Sequence, residues 1–184
     1  MTNVFLIHGS YGYPEENWLP WLKNELEKLG YTVYVPKFPT PEGQILDNWL
    51  NVFEEYKRYL DTSSIIIGHS CGVAFILNLL ERINHPIKAA FLVAGSVGLL
   101  HNEFDKVSST FTDKPFNWEK IRNNCKKFYV FHSDNDPYVP LKHGEELAKN
   151  LGVKLILVKN AGHFNEMAGY TKFDLLLEKI KEEL

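Results

Sequence analysis

Little in this chain suggests that disulfides, metal or membrane hold it together. Only two of its 184 residues are cysteine, Cys71 and Cys125, far apart and in no metal-ligand spacing, so both thiols are expected to stay reduced. No apolar run approaches the length of a membrane span, and Met1-Thr2-Asn3 passes straight into Val4-Phe5-Leu6-Ile7 without a basic leader. The expectation is a cytoplasmic protein with no membrane partner. An excess of one charge is also missing: 20 basic residues against 23 acidic ones leave a net charge of -3. The two signs are interspersed, which gives no basic surface for nucleic acid. Repeats and low-complexity segments are absent. What is present, 45% hydrophobic and 14% aromatic residues, predicts one domain over residues 1–184 with a substantial core.

Apolar runs and helical spacings alternate along the chain. Asn3 to His8 reads as a strand buried on both faces and opens into the glycine-bearing loop His8-Gly9-Ser10-Tyr11-Gly12. This loop has neither Gly-x-Gly-x-x-Gly nor a Lys-Ser/Thr ending, so a phosphate cradle is not supported and an oxyanion loop remains. Trp18, Leu22, Leu26 and Leu29 recur at helical spacing, with Pro20 tolerated in the first turn and Gly30 closing the helix. A short strand at Thr32 to Val35 and a proline-rich loop at Pro36 to Gly43 follow. One apolar helical stripe then runs from Ile45 to Leu60. Further strands are predicted near Ser63 to Gly68, Ile87 to Val93, Lys127 to His132 and Val153 to Val158, and helices at Val73 to Ile83, at Leu141 to Asn150 and at the C-terminus through Leu184. Strands separated by helical crossovers make a parallel, doubly wound α/β sheet of about six strands. The interval Gly95 to Asn117 is too long for an ordinary connection and carries Phe104, Phe111 and Phe116. It is read as a short aromatic cap, or a surface loop docked on the core by those rings.

The chemistry concentrates at Gly68-His69-Ser70-Cys71-Gly72, where a β-branched run breaks directly into a helix pattern. Gly-x-Ser-x-Gly in that context is the layout of a nucleophile elbow, in which close approach of strand and helix leaves no room for side chains two residues either side of the serine. In a parallel sheet ligands gather at the carboxyl ends of the strands. Ser70, Asp136 and His163 all reach that edge, in the chain order found in α/β-hydrolases. A serine hydroxyl needs a base within reach, and the base needs a carboxylate to fix its tautomer. The predicted roles are Ser70 as nucleophile, His163 as general base and then acid, and Asp136 as orienter. Cys71 N–H should stabilise the oxyanion, with a second N–H from Gly9 or Ser10. Asp134 shares the acid turn; Asp136 is preferred because Pro137 biases it to extended backbone, whereas Asp134 is expected to bond its own turn. A histidine base must be neutral, so hydrolysis should decline in acid.

The elbow Ile65 to Gly72, the stretch Lys114-Pro115-Phe116-Asn117-Trp118-Glu119-Lys120-Ile121, the acid loop Asp136-Pro137-Tyr138-Val139-Pro140 and Gly162-His163-Phe164 resemble one family in particular. It is that of the small α/β-hydrolase serine hydrolases related to retinoblastoma-binding protein nine and bacterial YdeN-type proteins, and the similarity runs through nearly the whole chain. The resemblance implies a compact α/β-hydrolase fold, a triad of Ser70, Asp136 and His163, and esterase- or aminopeptidase-like activity on small substrates; the reading that follows is a serine hydrolase that needs no cofactor and acts on small esters or amides. The resemblance carries no retinoblastoma-type partner, because the Leu-x-Cys-x-Glu signature is absent here.

His8 and His69 are expected to shape the site rather than titrate, and Cys71 to be unreactive. Tyr11, Tyr13, Trp18, Tyr138 and Phe164 are candidate walls of an acyl pocket, while Glu15, Glu16, Glu103 and Glu166 are candidates to receive a substrate ammonium. The alternative to an enzyme is a non-catalytic binding protein that retains the fold.

Overall fold

The alternation of strand and helix patterns produces one six-stranded sheet with every neighbouring pair parallel, in the order β2-β1-β3-β4-β5-β6. The structure is a computed structural model and describes residues 2–183; Met1 and Leu184 lie outside the described residues. The strands are β1 (Asn3–Ile7), β2 (Thr32–Tyr34), β3 (Ile65–His69), β4 (Ala89–Val93), β5 (Phe128–Ser133) and β6 (Leu155–Val158). The helices are α1 (Leu19–Lys28), α2 (Leu46–Glu54), α3 (Cys71–Leu80), α4 (Asp105–Thr112), α5 (Trp118–Asn123), α6 (Leu141–Leu151) and α7 (Asp174–Lys181).

Side chains alternate across the strands, so each central strand feeds two cores. Val4 and Leu6 of β1, Ile65 and Ile67 of β3 and Phe91 of β4 pack with Leu22 and Leu26 of α1 and Leu176 and Ile180 of α7. Their neighbours Phe5, Ile7, Ile66 and Leu92 face Trp49 and Phe53 of α2, the apolar side chains of α3, and Leu147 of α6. A strand buried on both faces must be apolar throughout, which is why β1, β3 and β4 read as continuous runs. All ten residues of α3 are buried, as a helix apolar all round requires.

The sequence-predicted elements recur with three informative differences, one being the short helix α5 at Trp118–Asn123, which is not among them. The stripe from Ile45 to Leu60 is not one helix: α2 stops at Glu54 and a single 3-10 turn at Lys57–Tyr59 completes it. The interval Gly95 to Asn117 is not irregular throughout, since it contains α4. Its three phenylalanines separate. Phe111 is fully buried against Trp49, Phe116 packs on Trp118, and Phe104 alone reaches the rings of Tyr11 and Tyr138 at the carboxyl edge. The segment therefore docks on the core mainly through Phe111 and offers the edge one aromatic side chain.

The chain passes from β1 outward to β2 and then back over β1 to β3. Beyond the carboxyl ends of β1 and β3 the connections diverge, and a crevice opens there.

Candidate active site

Ser70 lies between β3 and α3 at φ 55° and ψ -120°, a conformation that costs a non-glycine residue about 1–3 kcal/mol. Its neighbours explain how the strain is held. A Cβ on Gly72 would come within 2.5 Å of the Ile7 carbonyl oxygen and 2.7 Å of that of His8. One on Gly68 would lie 2.9 Å from the Gly72 backbone. Both elbow glycines are thus required by close backbone approach, as the motif predicts. The end of β1 also crowds the serine, because a Cβ on Gly9 would sit 2.9 Å from that of Ser70.

Two loops from the other half of the sheet meet this elbow, and consecutive residues stitch them together. Asn160 N–H donates to Asp134 Oδ1 at 2.8 Å, Ala161 N–H to Ser133 Oγ at 3.0 Å, and Gly162 N–H to Asn135 Oδ1 at 2.8 Å. His163 completes the series with Nδ1 donating to Asp136 Oδ2 at 2.7 Å. Irregular backbone must find partners for its N–H groups, and here side chains of the acid turn supply them. The expectation that Asp134 bonds its own turn is corrected: it serves the histidine loop, 26 residues away. Sequence reasoning does not single out Ser133 and Asn135, although Asx and serine turn chemistry marks the turn as rich in side-chain acceptors.

The Asp136 side chain is fully buried. Burial alone would raise its pKa, but the hydrogen bond from His163 and the N–H groups of Val139 and Tyr138 outweigh it and hold the carboxyl below its usual range. It stays ionised beside the imidazole.

His69 and His8 act as scaffolding. His69 Nε2 donates to the His163 carbonyl at 2.7 Å, and burial drives its pKa down to about 3, so the ring stays neutral. Trp18 Nε1 fixes the next carbonyl, that of Phe164. His8 accepts from Phe38 N–H at Nε2 and so donates from Nδ1 to the Gly9 carbonyl. The Cys71 thiol, which packs near Gln44 and Ser10, is pushed up to about 12 by burial and is unreactive near neutrality.

A cavity of about 330 Å³ opens over the elbow, lined by Ser10, Tyr11, Tyr13, Glu16, Ser70, Phe104, Tyr138, His163 and Glu166 among others. Ser70 and His163 share this wall. Of the proposed aromatic walls, Tyr11, Tyr13 and Tyr138 line the cavity, whereas Trp18 and Phe164 are core residues with no exposure. Of the four candidate glutamates, Glu16 and Glu166 line it and Glu15 and Glu103 do not, and no lysine or arginine contributes. Among the described residues no three His, Cys, Asp or Glu side chains cluster so as to hold a metal ion.

Glu16 is unusual. Burial pushes its pKa up to about 7, partly opposed by hydrogen bonding to the Gly9 backbone. A carboxyl raised in the folded state above its ordinary 4.5 favours folding below that value and withdraws the contribution as pH rises through about 7. Urea unfolding of wild type and Glu16→Gln should therefore diverge with pH. The wild type should lose on the order of 3 kcal/mol at most, relative to the variant, between about pH 4 and 8. Parallel stability profiles would mean that Glu16 titrates normally.

Residues 4–182 match the family model described as serine hydrolase. The chain belongs to the serine hydrolase family. It is 31% identical to the serine hydrolase RBBP9 of Rattus norvegicus, with all of this chain and 96% of that protein aligned. It is 28% identical to the YdeN protein of Bacillus subtilis, over 95% of this chain and 92% of that one. The crystal structure of the ydeN gene product superimposes with a TM-score of 0.94 at 27% identity, covering 100% and 98% of the two chains. Est1E of Butyrivibrio proteoclasticus shares the fold at a TM-score of 0.74 and 18% identity, covering 98% of this chain and 86% of that one. These likenesses bear out the α/β-hydrolase fold and the family read from the sequence. Among the described residues no helix is long and apolar enough to cross a membrane.

Proposed function

We propose that this serine hydrolase cleaves small esters or amides through a Ser70, His163 and Asp136 triad and a covalent acyl-enzyme. The observation that carries the reading is that strained Ser70 and Asp136-bonded His163 line one cavity. With Nδ1 committed to Asp136, His163 has Nε2 free to take the Ser70 proton as Oγ attacks the substrate carbonyl. The tetrahedral intermediate collapses when that proton passes to the leaving alcohol or amine and the carbon–leaving-group bond breaks. Water then repeats the sequence on the acyl-enzyme, releasing the acid and restoring Ser70.

Cys71 N–H, at the first position of α3, is the first oxyanion donor, aided by the helix dipole. The second donor is the N–H of Gly9 or Ser10, both of which line the cavity beside Ser70.

Cavity size and lining support a small-substrate reading. About 330 Å³ is room to enclose a short acyl group. Tyrosines and two carboxylates, without a basic side chain, suit neutral or cationic acyl groups, aminoacyl compounds included. The reading predicts that p-nitrophenyl butyrate exceeds the palmitate ester in kcat/KM by at least about tenfold, and that an anionic succinyl ester is poorer than a neutral one of equal length. Efficient palmitate turnover would refute the small pocket. Turnover of aminoacyl anilides would place peptidase activity beside esterase activity.

A further inference from the structure

The two loops that would bind the oxyanion come from different parts of the chain, and one buried amide joins them. Gln44, just after the proline-rich loop and before α2, is only 4% exposed and lines none of the cavity over Ser70. Its Nε2 donates to Ser10 Oγ at 2.6 Å and lies 3.7 Å from Cys71 Sγ. Its Oε1 accepts from the Thr40 hydroxyl, whose oxygen in turn accepts from Tyr11 N–H at 2.7 Å. A single side chain thus ties residues 10 and 11 of one loop to residue 71 of the elbow.

This connection matters in the Gly9 to Gly12 loop, where His8 Nδ1 holds the Gly9 carbonyl but the hydrogen bonds of Ser10 and Tyr11 run to Gln44 and Thr40. Its own turn bond, Gly12 N–H to the Gly9 carbonyl, is long at 3.3 Å, and Tyr11 sits at φ 59°. Oxyanion stabilisation depends on donors held about 3 Å from a point in space, and a displacement near 1 Å can cost about a hundredfold in rate. A buried amide in low dielectric with its donor and acceptor both engaged is a stiff link.

We propose that Gln44 is a positioning residue that fixes the Ser10 and Cys71 N–H groups at the separation the transition state requires. The proposal rests on the acyl-enzyme reading above. Gln44 touches neither substrate nor the triad, so its loss should act on the transition state alone.

The test compares wild type, Gln44→Leu, Gln44→Glu and Thr40→Val, each counted by active-site titration with a fluorophosphonate. The readouts are kcat and KM for p-nitrophenyl butyrate and the affinity for a trifluoromethyl ketone, which forms a tetrahedral adduct with serine. Gln44→Leu should lower kcat by about 30-fold with KM within about twofold, and ketone affinity should fall in step with kcat/KM. Gln44→Glu, whose carboxylate can accept from both Thr40 and the Ser10 hydroxyl, should retain more of kcat than Gln44→Leu with the same KM, and a loss as large as that of Gln44→Leu would count against the Ser10 link. Thr40→Val should show the same pattern as Gln44→Leu at about three- to fivefold, and it becomes the deciding variant if the Gln44 substitutions prevent folding. A general loosening of the structure would instead raise KM or lower the titratable fraction and leave the ketone preference intact, and that result overturns the proposal. Active, labelled wild type with unchanged kcat in the variants sinks this inference alone, whereas a wild type that is not labelled at all sinks it together with the hydrolase reading.

Discussion

Ser70→Ala is expected to lower kcat by about 10⁴- to 10⁶-fold while leaving the fold intact, because no neighbouring group can replace the attacking oxygen. The two free thiols offer no substitute: burial holds both Cys71 and Cys125 at a pKa of about 12. Stability should respond in a different order from activity. Ser70 occupies φ 55°, which alanine adopts no more readily than serine, so Ser70→Ala should melt close to wild type. Ser70→Gly is equally inactive by this reasoning but relieves the backbone strain. It should gain about 1 kcal/mol, or roughly 2–4 °C in Tm for a chain of this size. An inactive variant more stable than the parent would show that the elbow is held at a cost for the sake of its hydroxyl. Substantial turnover by either variant, measured on protein free of wild type, would remove Ser70 from the mechanism.

The second large effect separates two aspartates that sit two residues apart. Asp136→Asn should lower kcat by up to ~10⁴-fold, since an amide in place of the buried carboxylate lets His163 take the wrong tautomer and leaves the imidazolium without a counter-charge. Asp134→Asn should cost only about tenfold. Its carboxylate is exposed and holds the Asn160 N–H, so its loss loosens the loop that carries His163 without touching the imidazole. Circular dichroism and thermal melts would establish that both variants are folded before the rates are compared. The reverse ranking would reassign the orienting carboxylate.

These two aspartates also illustrate how far sequence reasoning reaches. The sheet is legible because β1, β3 and β4 are buried on both faces and must be apolar throughout, and because Gly68 and Gly72 mark a backbone contact that nothing larger permits. The bonding of Asp134 is not legible, because turn propensity describes local bonds, whereas its partner is the N–H of a distant loop. Helix α4 escapes for a related reason. Its buried face is Ser108, Phe111 and Thr112, and both hydroxyls bond back to carbonyls four residues earlier, so no apolar stripe announces it. Gln44 is invisible in the same way. Hydrophobic periodicity finds buried carbon, and a buried amide beside a proline-rich loop has no period to betray it.

Intact-mass spectrometry of the folded protein after treatment with a fluorophosphonate at neutral pH tests whether Ser70 is the nucleophile. The account predicts a single stoichiometric phosphonyl adduct, localised by peptide mapping to Ser70, absent from Ser70→Ala and formed much more slowly by Asp136→Asn. No adduct on folded wild type, or an adduct that persists in Ser70→Ala, would contradict it.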